Sequence, residues 1–319
     1  MSTANTATDL DVVLREVGPR DGLQGLSTFF PTAEKLAWIR AEHEAGVREI
    51  EVTSLVPAHI VPQFADAAEV VEGSLALEGL TVVALVPNLK GALRAIELGV
   101  HKIDFVMSVS RTHNRKNVRR EREESIAEFG HIAAQVALLP AARRPTLAAG
   151  LSSALGCGYE GDIALDDVRL CAAALAQAGA DEILVADTVG RADPRKVEAT
   201  FRAVFAEVGG LPVGAHFHDT RGLGLANVLA ALNVGVRQFD ASLAGLGGCQ
   251  FVPAATGNVV MDDLCFMLDS MGLRTGIDLE RLLAAREVVE RTLGAAALQG
   301  AVAKAGLPIH YVPAAGRHG

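Results

Sequence analysis

Three observations predict a (β/α)8 TIM barrel with a short C-terminal helical extension. Short β-rich runs alternate with longer amphipathic stretches from residue 12 to about residue 245. Counting them gives about eight units, the number with which such a barrel closes. The polar residues gather where the β-rich runs stop, as a barrel demands of an active site built from the carboxyl ends of its strands.

In chain order the units read as follows. Strand Val12 to Val17 precedes an amphipathic helix over Thr32 to Ala45, and strands Glu49 to Thr53, Thr81 to Val86 and Lys102 to Ser108 come next. An amphipathic stretch over Glu121 to Leu138 leads into strand Thr146 to Ser152, and one over Leu165 to Ala178 into strand Glu182 to Asp187. Helix Pro194 to Val208, strand Pro212 to His218, helix Leu223 to Asn233 and strand Gln238 to Ser242 complete the set. Two further helical segments, roughly Asp262 to Met271 and Leu279 to Ala296, are expected to cap the barrel. A doubly wound sheet can be drawn from the same units. No Pro/Gly/Ser linker divides the chain, however, and no unit opens with a full G-x-G-x-x-G fingerprint.

Composition agrees and narrows the function. The chain has 319 residues, half of them hydrophobic, enough for one barrel or about two ordinary domains. We expect a flexible tail over 1–10, a single barrel domain with its cap over 11–300, and a C-terminal tail over 301–319. Asp and Glu outnumber Lys and Arg by 38 to 29, the net charge is -9 and aromatics make up 4%. Phosphate backbones and base stacking therefore find little here, so a nucleic-acid partner is not expected. Cys157, Cys171, Cys249 and Cys265 form no C-x-x-C pair and read as reduced thiols. The first residues, MSTANTATDLD, lack a basic and then apolar leader pattern, and no stretch of about 18 apolar residues follows. The expectation is a cytoplasmic protein with no membrane partner.

The strand ends supply the chemistry. Arg20 and Asp21 follow the first strand, Glu51 lies in the second and Asn88 follows the third; Asp187 ends the sixth. The strand bodies read as largely apolar. His216 and His218 sit two apart in AHFHDT, which puts both imidazoles on one face of a strand. Imidazole with carboxylate or amide oxygen, and no paired thiolates, suits Mg²⁺, Mn²⁺, Co²⁺ or Zn²⁺. The alternative is one core histidine and one exposed. Cys249, in AGLGGCQF, is flanked by glycines that would let a loop move, or is a small buried hydrophobe; the latter is the reading for Cys171 and Cys265. In SVSRTHNRKNVRRERE, residues Arg111, His113, Arg115, Lys116, Arg119, Arg120 and Arg122 form a basic cluster. It reads either as a phosphate site or as a solvated helix start paired with Glu121, Glu123 and Glu124.

Eight segments in order carry a family resemblance: EVGPRDGLQ, IEVTS, VPNLKG, ALGCGYEG, ADTVG, AHFHDTRGLGLAN, GLGGC and ATGN. Together they resemble the 3-hydroxy-3-methylglutaryl-CoA lyase family over nearly the whole chain. The resemblance implies a homodimeric or higher homo-oligomeric metallolyase that cleaves an acyl-CoA to acetyl-CoA and acetoacetate, with Mg²⁺ or Mn²⁺ first among the possible ions. It implies Asp21, His216, His218 and Asn258 as metal ligands, Arg20 as the catalytic arginine, and Cys249 as the cysteine of a catalytic loop. Glu51 and Asp187 match supporting acids. Gln24, Arg115, Lys116 and Asn117 are expected to bind substrate.

The chemistry fits. A retro-aldol cleavage removes a tertiary hydroxyl proton and delivers electrons to a thioester enolate, so negative charge builds twice. A divalent ion lowers the hydroxyl pKa and orients it. Arg20, planar and always charged, is suited to the enolate oxygen. Cys249 is expected to transfer protons with His216 or Asp187. Two segments depart from the family: Gly25, Leu26, Ser27, Thr28, Phe29 and Phe30 stand where polar residues are usual, and Gln250 replaces a proline. A loop bearing Leu26, Phe29 and Phe30 would favour a more apolar or longer 3-hydroxyacyl chain, unless these residues only pack the loop. The other readings are a condensing acetyl-CoA/2-oxo acid synthase of the same metalloenzyme group and a non-catalytic binding barrel. GLGGC and the lack of a long regulatory domain oppose the first, and the ligand set opposes the second.

Overall fold

The computed structural model describes residues 10–247 and 257–314. Eight parallel strands close a barrel in sequence order: β1 (Val13–Glu16), β2 (Glu49–Ser54), β3 (Thr81–Val86), β4 (Lys102–Ser108), β5 (Thr146–Ser152), β6 (Glu182–Asp187), β7 (Val213–Phe217) and β8 (Gln238–Ala241). Closure is made by β1 against β8, with Val13 opposite Gln238 and Glu16 opposite Ala241. The expected (β/α)8 architecture is therefore the one observed, and most strand bounds fall within a residue of those read from the sequence.

Eleven helices lie among the described residues. The expected ones are α1 (Thr32–Glu44), α5 (Arg122–Ala137), α6 (Leu165–Gln177), α7 (Pro194–Glu207), α8 (Gly224–Asn233), α9 (Met261–Ser270) and α10 (Leu279–Leu293). Three were not anticipated: α2 (Ala67–Leu75), α3 (Leu89–Leu98) and α4 (Arg111–Val118). Helices α2 and α3 are short and each contains a glycine, while α4 is polar over nearly its whole length, so length and composition spoke against all three. Side-chain caps start two of them, Asn88 accepting from the Gly91 amide at 2.9 Å and Ser110 from the His113 amide at 3.1 Å. The stretch from 301, expected as a tail, instead opens with α11 (Ala301–Ala305); Val302 and Ala314 are buried and Tyr311 donates to Asp269.

Period-2 alternation explains the core. In β4, Ile103, Phe105 and Met107 face the helices, and Phe105 meets Phe129 of α5 with ring centroids 5.4 Å apart. The alternate residues face inward, and there the strand bodies are charged rather than apolar. Arg15 of β1 binds Asp240 of β8 at 2.7 and 2.9 Å and lies 3.4 Å from Asp104 of β4. Lys102 spans Glu49 of β2 and Glu182 of β6, both at 2.7 Å. Paired charges across the barrel axis satisfy one another where water does not reach, at a desolvation cost that favours a fixed arrangement over raw stability.

Candidate metal and active site

The chain leaves β1 through one turn of π-helix over Gly18–Gly22, an irregular turn of the kind often found at functional sites. Gly18 is required there because a Cβ would stand 2.5 Å from the Trp38 ring and from Glu16 Oε1. Glu16 fastens the turn from below, accepting from the Gly18 amide at 2.5 Å and the Leu243 amide at 2.9 Å.

The turn points Arg20 and Asp21 across the mouth of the barrel. Arg20 donates from Nε to Glu51 Oε2 at 2.5 Å and from Nη1 to Asp21 Oδ1 at 2.7 Å. Gln24 donates to the same Asp21 oxygen at 2.5 Å. The second Asp21 oxygen accepts from Asn258 Nδ2 at 2.7 Å and lies 3.5 Å from His218 Nε2. Asn258 reaches this point because residues 257–260 pair onto the barrel, with an antiparallel bridge between His218 and Asn258. Gly247 completes the approach: its φ is +117°, and a Cβ would stand 2.6 Å from Asn258 Nδ2.

His216 is the penultimate residue of β7 and His218 lies one residue past the strand, so both rings turn to the same side. Their Nε2 atoms are 3.1 Å apart. His216 Nδ1 lies 2.9 Å from Asp240 Oδ2, which assigns its proton to that nitrogen and leaves Nε2 as a lone-pair donor in the neutral ring. Burial alone lowers the His216 pKa, but Asp240 and then Asp21 outweigh it and hold the ring above its ordinary value. Burial likewise pushes Asp21 upward, yet Arg20, His218 and His216 more than offset it and hold its carboxyl far below the usual range. Asp240 is held low in the same way by Arg15 and His216. Glu51 is pushed up by burial in spite of Arg20.

Asp21, His216 and His218 offer ligand atoms that all lie within 4.8 Å of one another. All three are buried, as is Asn258, whose Oδ1 has no hydrogen-bond partner among the described residues. The two imidazole nitrogens, 3.1 Å apart, can share one proton, but the buried amide oxygen of Asn258 is unsatisfied among the described residues, and a cation set between it, the imidazoles and the Asp21 carboxylate would satisfy it. The donor set therefore fits a divalent metal, with a carboxylate orienting one histidine from behind.

A cavity of about 420 Å³ opens over these residues. Gln24, Lys116 and Asn117 line it, as expected, and so do Arg119 and Arg120. Arg115 does not: it is half exposed and pairs with Glu121 at 2.5 Å. Arg111 pairs with Glu123 and Arg122 with Asp167, so much of the basic cluster is a salt-bridged helix junction. Asp187 is also displaced from the chemistry expected of it. Its oxygens accept the Arg191 and Ala192 amides at 2.9 and 2.8 Å and brace the turn after β6, while its neighbours Ala186 and Thr188 line the cavity. Cys249 and Gln250 lie outside the described residues.

The loop of Leu26, Phe29 and Phe30 packs against the protein. Phe30 is buried against Trp38 with ring centroids 6.0 Å apart, and Phe29 lies under Lys35 Nζ, 4.5 Å from its ring centre. Gln63 ties the loop down through the Phe30 amide and the Leu26 carbonyl. None of the three is among the residues lining the cavity, whose apolar wall comes instead from Val56, Pro57, Ile60, Val61 and Phe64. The sequence reading missed this wall, and also missed Arg15, Asp104 and Asp240. Only Asp104 carried a signal, as one of two charged residues at alternate positions in the KID run of β4; Arg15, in VLRE of β1, and Asp240, in QFDA of β8, have no charged residue two positions away in their strands.

Comparison with known proteins agrees with this geometry. The HMGL-like family model matches residues 11–289. Hydroxymethylglutaryl-CoA lyase YngG of Bacillus subtilis is 39% identical over 283 residues, covering 89% of this chain and 93% of the relative. The mitochondrial hydroxymethylglutaryl-CoA lyase of Gallus gallus is 40% identical over 273 residues, covering 84% of this chain and 89% of the relative. The solved structure of an HMG-CoA lyase from Acinetobacter baumannii, in complex with coenzyme A and 3-methylmalate, superposes with a TM-score of 0.88 at 37% identity, covering 98% of this chain and all of that one.

Proposed function

The chain belongs to the HMGL-like family, and on that premise we propose that it is a divalent-metal-dependent lyase that cleaves 3-hydroxy-3-methylglutaryl-CoA to acetyl-CoA and acetoacetate. The observation that carries this reading is the convergence of Asp21, His216 and His218 at the strand ends with Arg20 on the same turn.

Asp21, His216, His218 and Asn258 are the residues that would hold the metal. A bound divalent ion, Mg²⁺ or Mn²⁺ first and Co²⁺ or Zn²⁺ as substitutes, acidifies and orients the substrate's tertiary hydroxyl. Asp240 fixes the tautomer of His216 so that Nε2 faces the site. Arg20, locked by Glu51 and Asp21, keeps further N–H groups to donate to the enolate oxygen as it forms. Its pKa lies above an already high ordinary value, burial being outweighed by Glu51 and Asp21, so it remains charged throughout. Gln24 steadies the Asp21 carboxylate. Cys249 is assigned the proton transfer to the released carbon.

An acyl-CoA ligand suits the walls of the cavity. Val56, Pro57 and Ile60 offer an apolar side to the thioester arm, and Lys116, Arg119 and Arg120 a cationic side to the phosphates. That the Acinetobacter baumannii relative was solved with coenzyme A bound supports an acyl-CoA ligand. A cytoplasmic location and a homodimeric or higher assembly belong to the same proposal, to be checked by fractionation and sedimentation. No helix among the described residues is long and apolar enough to cross a membrane.

One assay tests the reading. Purified protein with Mg²⁺ or Mn²⁺ should release acetyl-CoA and acetoacetate from 3-hydroxy-3-methylglutaryl-CoA, and should release no free CoA from acetyl-CoA with 2-oxo acids. The reverse pattern makes it a condensing synthase instead.

A further inference from the structure

The floor of the cavity holds a buried carboxyl group that the chemistry above does not use. Asp104 of β4 is 3% exposed and lines the cavity together with Gly150 of β5 and Leu184 of β6. Its Oδ2 lies 3.4 Å from Arg15, and its Oδ1 has no hydrogen-bond partner among the described residues. The space beside that oxygen is kept by Gly150, where a Cβ would stand 3.4 Å from Oδ1. A polar atom so placed costs free energy unless a ligand completes it.

Resting on the lyase reading, we infer that Asp104 is a specificity-determining residue: its carboxyl hydrogen-bonds the terminal carboxylate of the acyl chain on the cavity floor. Such a pair needs one proton between the two groups, and the charges around Asp104 supply it. The barrel interior sets Arg15, Arg20 and Lys102 against Glu49, Glu51, Asp104, Glu182 and Asp240, so carboxyls outnumber cations. Burial, with Glu51 and Asp240 opposing Arg15 and Arg20, pushes the Asp104 pKa up to about 7. Asp104 thus donates to an anionic oxygen, whereas a chain ending in a methyl group leaves it unsatisfied. The site selects 3-hydroxy-3-alkyl acyl-CoA substrates that end in a carboxylate and discriminates against the purely aliphatic ones.

The test compares 3-hydroxy-3-methylglutaryl-CoA with 3-hydroxy-3-methylpentanoyl-CoA, in which a methyl group replaces the carboxylate; cleavage of the second gives acetyl-CoA and butanone. Asp104→Leu should lower kcat/KM for the first substrate about tenfold or more while leaving the second within about threefold. Asp104→Asn, which keeps a donor, should stay close to wild type on the first and should lose the rise in KM that wild type shows as pH climbs past 7. Equal losses on both substrates, or none on either, overturn the inference and leave the lyase reading standing. A wild-type protein that cleaves neither overturns both. Should Asp104→Leu not fold, Gly150→Ala sets a methyl group against the same oxygen, in space its hydrogen-bonding partner would use. It should move the substrate ratio in the same direction, and an unchanged ratio is equally fatal.

Discussion

His216 Nδ1 lies 2.9 Å from Asp240 Oδ2, and Arg15 grips both oxygens of that same aspartate. Three strands, β1, β7 and β8, thereby fix the orientation of one imidazole. Asp240→Asn keeps the size but removes the charge and can present an amide donor to Nδ1, favouring the wrong tautomer. Calorimetric titration of Mn²⁺ should show affinity weakened by about 10- to 100-fold. An unchanged affinity would mean that Asp240 serves only the Arg15 ion pair.

Arg20 is held by two carboxylates at once, Glu51 and Asp21. A lysine cannot span both and still donate toward the cavity. Arg20→Lys and Arg20→Met should each lower kcat by about 10²-fold or more, the cost of losing a donor aimed at developing charge. Substrate binding, read by equilibrium dialysis with a CoA thioester, should persist. A kcat near wild type in both variants contradicts the role assigned here.

Glu16 and Glu42 are both fully buried side by side behind the π-helical turn. Burial pushes Glu16 up to about 7, and burial together with Glu16 pushes Glu42 well above its ordinary value. A raised carboxyl pKa means the folded protein binds a proton that the unfolded chain has already released. The stabilisation is complete below the unfolded value near 4.5 and is lost as pH rises through about 7. For Glu16 alone the difference is of order 3 kcal/mol. The unfolding midpoint should therefore fall between pH 5 and pH 8, and Glu42→Gln should flatten that fall. A wild-type midpoint that climbs over this range contradicts the pairing.

Much of this was legible in the sequence, for reasons of geometry. Parallel strands buried on both faces give β-rich runs that stand out, and the H-x-H spacing is a direct reading of the two-residue strand repeat. The candidate ligand set was legible only because Asp21, the two histidines and Asn258 fall within distinctive motifs; their convergence depends on barrel closure and on the bridge from His218 to Asn258. The supporting charges were not read. Arg15, Asp104 and Asp240 lie far apart in the chain, and each looks like an isolated polar residue until β4 and β8 are brought around β1. Asp187 shows the opposite case. A carboxylate at a strand end resembles a catalytic acid, yet the following turn sets a backbone amide on each of its oxygens.

Lys116 and Arg115 are neighbours in sequence with different surroundings. Lys116 lines the cavity, 4.8 Å above the Tyr159 ring, whereas Arg115 points away to Glu121. Lys116→Glu should raise KM for the CoA thioester several-fold and abolish part of its salt dependence, while Arg115→Glu should leave KM within about twofold because an exposed pair contributes little. Equal effects of the two reversals would place the phosphates elsewhere.

The central claim is that Asp21, His216, His218 and Asn258 hold a divalent ion on which cleavage of 3-hydroxy-3-methylglutaryl-CoA depends. The most direct measurement is the rate of acetoacetate release by chelator-treated protein as Mn²⁺ is added back, for wild type and for Asp21→Ala and His218→Ala. The wild-type rate should rise from near zero and saturate at one ion per chain, with both variants needing far more metal or failing to respond. Full activity in the metal-free protein, or wild-type titration curves in both variants, would contradict it.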